Sequence, residues 1–124
     1  MTDAYFTKNN IDDEIIDNEQ FEDMRDLLEE DFSDLIQTYI IDSQQRIDTL
    51  RMALADNDNA NGFEAAHALK GASANLGATQ LVRLGDQLQE ACREHQISQQ
   101  ADIIEQTATA LQRVKQEITL RLEP

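Results

Sequence analysis

Basic residues are scarce in this chain, and the scarcity limits its partners before any motif is read. Ten Lys and Arg face 25 Asp and Glu over 124 residues, a formal net charge of -15. Binding to a nucleic-acid backbone draws on positive charge, so a nucleic-acid partner is excluded, and an anionic membrane surface is disfavoured for the same reason. Cys92 is the only cysteine, which leaves no intrachain disulfide and no cysteine zinc cluster. The one proline is Pro124, so no helix is interrupted by a ring. Tryptophan is absent and glycine occurs four times, a composition far from collagenous or low-complexity chains. No apolar run approaches the roughly 18 residues that would span a bilayer. Met1 to Asn10 lacks the basic-then-apolar order of a signal peptide, and a soluble cytoplasmic protein is expected.

What the chain does have is apolar residues at helical spacing almost everywhere after residue 20. Phe21, Met24, Leu27 and Leu28 predict a short first helix, capped by Asp17 or Asn18. Phe32, Leu35, Ile36, Tyr39, Ile40, Ile47, Leu50 and Leu54 step by threes and fours along one long helix that ends in the cluster Asp56 to Asn59. A third helix runs from about Ala60 to Asn75, with Phe63, Ala66, Leu69, Ser73 and Leu76 as its inner stripe and Gly77 as its stop. A fourth spans about Ala78 to His95, and Ser98 is the expected N-cap of the last. Short connections make neighbours antiparallel, so the expected fold is all-α, an up-and-down four-helix bundle with a short leading helix. Residues 1–19 are mostly polar and are expected to form an acidic, mobile tail ahead of a domain over 20–122. Residues 1–31 alone carry 12 Asp and Glu against two Lys and Arg; a solvated, solubilising face accounts for that run.

One segment departs from the pattern. On the third helix His67, Lys70, Gly71 and Ala74 fall opposite the apolar stripe, with His67 three residues from Lys70 and four from Gly71. Glycine at an exposed helix position costs about 1 kcal/mol relative to alanine, so its presence beside an imidazole marks a place where something must come close. Acidic residues make up about one position in five, yet Ala65 to Gly85 contains none. That gap clears carboxylates from a face that would carry or meet negative charge.

The run His67-Ala68-Leu69-Lys70-Gly71, followed by Ser73 and Leu76-Gly77-Ala78, resembles the signature of the histidine phosphotransfer (HPt) domain family. The likeness covers roughly residues 20–120 and implies a free-standing member of bacterial type; the acidic N-terminal extension lies outside the family pattern. By that resemblance His67 is the phosphorylated residue and Lys70 the cation that stabilises its phosphate. Gly71, with Glu64, Ala68 and Ala74 beside it, is the partner-docking face, and Gly77 is structural. The implied function is relay of a phosphoryl group between aspartate-bearing receiver domains, from a hybrid sensor kinase to a response regulator. No cofactor is implied for the chain itself, and Mg²⁺ is expected on the partner receiver.

Residue chemistry agrees with this reading. A solvated imidazole, whose ordinary pKa is about 6.5, is largely neutral and nucleophilic at pH 7. No ATP-binding glycine loop is present, so a kinase is excluded, and two histidines 28 positions apart with no H-E-x-x-H pattern leave little for a metal-dependent hydrolase. The competing class is a non-catalytic helical adaptor or anti-factor, in which an exposed His67 and Gly71 would have no purpose. His95 reads as incidental, at the polar end of a helix where positive charge is favoured. Gly85 reads as a point of close helix packing, Ser73 as a small core-facing residue, and Cys92 as a small buried hydrophobe. A bundle of this size has no evident need of a second copy, and a monomer is expected.

Overall fold

The computed structural model describes residues 15–122, and they fold into five α-helices in the expected order. Helix α1 covers Asn18–Leu28, α2 Phe32–Asp56, α3 Asn59–Leu76, α4 Thr79–Arg93 and α5 Ala101–Leu122. Single 3-10 turns, Glu29–Asp31 and Ile97–Gln99, join α1 to α2 and α4 to α5. Among the described residues there is no strand, and no helix is long and apolar enough to cross a membrane.

The helix ends follow from side-chain and backbone chemistry. Asp17 caps α1 by accepting a bond from the Gln20 amide at 3.1 Å, and Asp58 caps α3 by accepting from the Asn61 amide at 3.1 Å. Helix α2 ends at Asn57, in the left-handed region at φ 53°, where a short polar side chain is tolerated. Helix α3 ends at Gly77, φ 85°, whose amide bonds back to the carbonyls of Ala74 and Ser73. Ser98 does not cap the last helix: it lies inside the 3-10 turn, and α5 starts at Ala101. A serine ahead of an apolar run signals a helix start, but here the turn intervenes because Ile97 is fully buried and draws the chain inward.

Helices α2 and α4 each pack against both α3 and α5, which closes a four-helix ring. Two apolar clusters fill it. One, at the end nearer α1, contains Phe21, Phe32, Ile36, Tyr39, Leu69, Leu76, Leu81, Leu111, Val114 and Ile118. The other contains Leu50, Ala53, Ala65, Ala66, Leu88, Cys92, Ile97 and Ile104. Burial of each large side chain contributes roughly 1.5–3 kcal/mol, so the ring needs no covalent staple. Across its outer surface Arg51 of α2 grips Glu105 of α5 through two bonds of 2.9 and 3.0 Å, and the guanidinium holds the Glu105 carboxyl below its ordinary range.

The N-terminal boundary differs from expectation. Ile16, placed by composition in the tail, is 1% exposed and belongs to the main core, with Ile15 packed against it. Asp17 donates its amide to the Gly77 carbonyl at 2.8 Å, and Arg121 of α5 donates to the Ile16 carbonyl while its guanidinium sits 5.1 Å over the Phe21 ring. The ordered unit thus begins by residue 15; the rest of the expected tail, 1–14, lies outside the described residues.

Candidate functional site

The exposed face of α3 carries the candidate site. His67, at the middle of that helix, is exposed, as are Glu64, Gly71 and Ala74; Ala68 is half-buried. Their spacing of three, four and seven residues sets them along one stripe. Gly71 is bare: a Cβ built there would meet no atom within 4 Å. It faces outward as the periodicity predicts, so its helix-propensity cost has no packing gain to offset it.

Two details on this face were not foreseen. Phe63, expected in the inner stripe, is only half-buried, and its ring stacks on the His67 imidazole with centroids 6.1 Å apart and planes 4° from parallel. The guanidinium of Arg93, from α4, lies 5.6 Å from the Phe63 ring centroid and is paired with Glu90. Phe63 sits at the edge of the apolar arc, where a large ring can cover the core and still flank an exposed neighbour. Sequence periodicity alone does not separate these two roles.

Lys70 is likewise not simply solvated. Its stem crosses Gly85 of α4, where an added Cβ would come within 3.1 Å of the Lys70 Cβ and 3.3 Å of the Ala66 carbonyl. Gly85 is thus the close-packing point that was expected. The Lys70 ammonium ends 2.9 Å from Asp86 Oδ1. The stretch without acidic residues stops at Gly85, and the very next residue supplies the carboxylate; the segment is free of acid in sequence but not in its surroundings. Gln89, one turn beyond, is buried, and its Oε1 has no hydrogen-bond partner among the described residues. Asp86 is not marked in the sequence as a neighbour of Lys70, because only the register of α4 on α3 brings the two together, and Gly85 sets that register.

The remaining residues hold the stripe in place. Ser73 points inward and shares a 2.8 Å hydrogen bond with the Tyr39 hydroxyl of α2. Gly77 has a double requirement: its φ is left-handed, and a Cβ there would fall 2.9 Å from the Gln20 Cβ of α1. Cys92 is buried and unpaired, its thiol pushed up by burial, and His95 lies past the end of α4 at φ 61°. Among the described residues no group of three or more His, Cys, Asp and Glu side chains could hold a metal ion. The arrangement offers one exposed nucleophilic nitrogen, a cation one turn away, and a surface cleared for close approach.

Comparisons with known proteins bear on the chain as a whole. A family model described as Hpt domain matches residues 34–117. The fold is similar to the crystal structure of histidine-containing phosphotransfer protein B (HptB) from Pseudomonas aeruginosa PAO1, with a TM-score of 0.83 and 25% sequence identity over 87% of this chain and 94% of that one. No curated protein matches.

Proposed function

From the premise that this chain belongs to the Hpt domain family and has a histidine phosphotransfer role in a phosphorelay, we propose that His67 is the residue that carries the phosphoryl group. The observation that supports this is the pairing of His67 with Gly71: an exposed imidazole beside the one glycine where an added Cβ would meet no atom within 4 Å. His95, the other histidine, has no glycine within four residues of it in the chain. The partners are receiver domains, one on a hybrid sensor kinase and one on a response regulator. The chain works as a monomeric, cytoplasmic phosphocarrier without kinase activity of its own.

In the transfer step a ring nitrogen of neutral His67 attacks the phosphorus of a receiver's aspartyl phosphate. The N–P bond forms, the acyl P–O bond breaks, and the electron pair leaves with the receiver's carboxylate; the proton on the other ring nitrogen stays on the ring. The reverse sequence delivers the group to the next aspartate. Attack must be in line, which requires the receiver backbone to lie almost against the α3 turn at Gly71, with Glu64, Ala68 and Ala74 completing the docking stripe. Phosphorylation places close to two negative charges at His67, and the Lys70 cation stabilises them as they develop. Mg²⁺ is supplied by the receiver.

The test is labelling from a phosphorylated receiver followed by site mapping. The bond should be stable to alkali and lost in acid, as a phosphoramidate is, and His67→Gln should take no label. Label retained by that variant, or mapped to Ser73, would refute the assignment.

A further inference from the structure

Lys70 does not rest over His67. Its stem lies in the bare notch at Gly85, and its ammonium is bonded to Asp86 on the neighbouring helix at 2.9 Å. No hydrogen bond or ion pair joins Lys70 to His67 among the described residues. The pair is only partly screened by protein, with side-chain exposures of 34% for Lys70 and 55% for Asp86, so the ammonium can exchange partners. We propose that Asp86 is a positioning residue that parks Lys70 in the unphosphorylated protein and competes for it with the phosphoryl group on His67. The proposal rests on His67 being the phosphorylated residue.

The competition has a definite sign. Before transfer, the Lys70 charge is compensated by the Asp86 carboxylate. After transfer, the ammonium is drawn to a group of nearly twice that charge, and its pair with Asp86 must break. The energy of the pair is therefore subtracted from the stability of the phosphorylated state, and Asp86 keeps the phosphohistidine from becoming a sink. A carrier that must both accept and release needs that balance. Gly85 gives the Lys70 stem its room: a Cβ there would lie 3.1 Å from the Lys70 Cβ, and the stem would have to shift by a few tenths of an ångström.

The experiment measures the equilibrium constant for phosphoryl exchange with a receiver that labels the wild-type protein, for Asp86→Asn, Lys70→Ala and the double variant. Asp86→Asn keeps the size of the side chain and removes its charge. It should shift the constant toward the phosphorylated protein by about two- to fivefold, the factor a partly exposed ion pair supplies. In the Lys70→Ala background the same change should have almost no effect, because Asp86 acts through Lys70. Asp86→Glu should restore wild-type behaviour, and the thermal midpoint of each variant should stay within a few degrees, which a merely structural role would not predict. An unchanged constant in Asp86→Asn overturns the proposal. So does an equal shift in both backgrounds, which would mean that Asp86 simply repels the phosphate. Label retained on His67→Gln would instead refute the site assignment, so the two failures are distinguishable.

Discussion

The Tyr39 hydroxyl and the Ser73 hydroxyl lie 2.8 Å apart inside the apolar core, joining α2 to the inner side of the helix that carries His67. The bond fixes the rotation of α3: with Ser73 held inward, His67 and Gly71 must face out. Burial pushes the Tyr39 phenol up, and hydrogen bonds from Ser73 and Ser43 only partly offset that.

The first prediction tests this bond. Tyr39→Phe and Ser73→Ala should each cost about 1 kcal/mol, the net value of one hydrogen bond, since Ser43 remains as a partner of the phenol when Ser73 is removed. The double variant should be less destabilised than the sum, with a coupling of about 0.5–1.5 kcal/mol in denaturant melts. An additive result would remove the bond from the account. The phenol also gives a pH dependence. Its folded pKa lies above its unfolded value, so the neutral form is favoured by folding. The contribution is complete below the ordinary tyrosine range and is lost as pH rises through it toward the folded pKa. In a Tyr5→Phe protein, where Tyr39 is the one tyrosine, phenolate absorbance should rise only above pH ~10, together with the loss of stability.

The second prediction concerns the stack on His67. Phe63→Leu keeps an apolar body over the core but removes the parallel ring 6.1 Å from the imidazole. An aromatic pair contributes about 0.5–1.5 kcal/mol beyond its area, so transfer should slow by roughly two- to tenfold as the imidazole loses its preferred orientation. The melt should move little. An unaltered rate would show that the ring only shields the core.

Much of this site was legible in the sequence because it depends on one helix. The 3.6-residue period placed Ser73 inward and Gly71 outward, and both are so. What failed depends on two elements meeting. Ile15 and Ile16 form an apolar pair in a mostly polar stretch with no sustained apolar stripe, so nothing local marks Ile16 as core; it is buried because the α3–α4 corner at Gly77 receives it. Asp86 lies on a separate helix from His67, and its placement beside Lys70 follows from the depth to which α4 settles at Gly85. Helix faces can be read from spacing; inter-helix register is set by small residues whose partners the sequence does not name.

The last prediction contrasts two glycines of α3, Gly62 and Gly71, about 13.5 Å apart along the helix at about 1.5 Å rise per residue, whose surroundings are opposite. A Cβ at Gly71 would touch nothing within 4 Å, whereas one at Gly62 would fall 2.9 Å from Cys92 Sγ and 3.2 Å from Ile97 Cδ1. Gly71→Ala should therefore leave the protein as stable or raise its stability by up to about 1 kcal/mol, the helix-propensity gain. Gly62→Ala has the same propensity gain but overpacks the second core cluster, at a cost of about 1–3 kcal/mol, and should be the less stable variant. Function should sort the other way. Gly62 faces away from the docking stripe, so a folded Gly62→Ala protein should still accept phosphate. Gly71→Gln should keep the melt of the parent while its long side chain holds the receiver off the α3 turn and transfer falls by tenfold or more, on the order of the loss expected when reacting atoms are displaced by an ångström or so. Thermal melts run beside transfer assays decide it: a large drop in melting temperature for Gly71→Gln, or undiminished transfer, would contradict the open approach at Gly71 on which the site assignment rests.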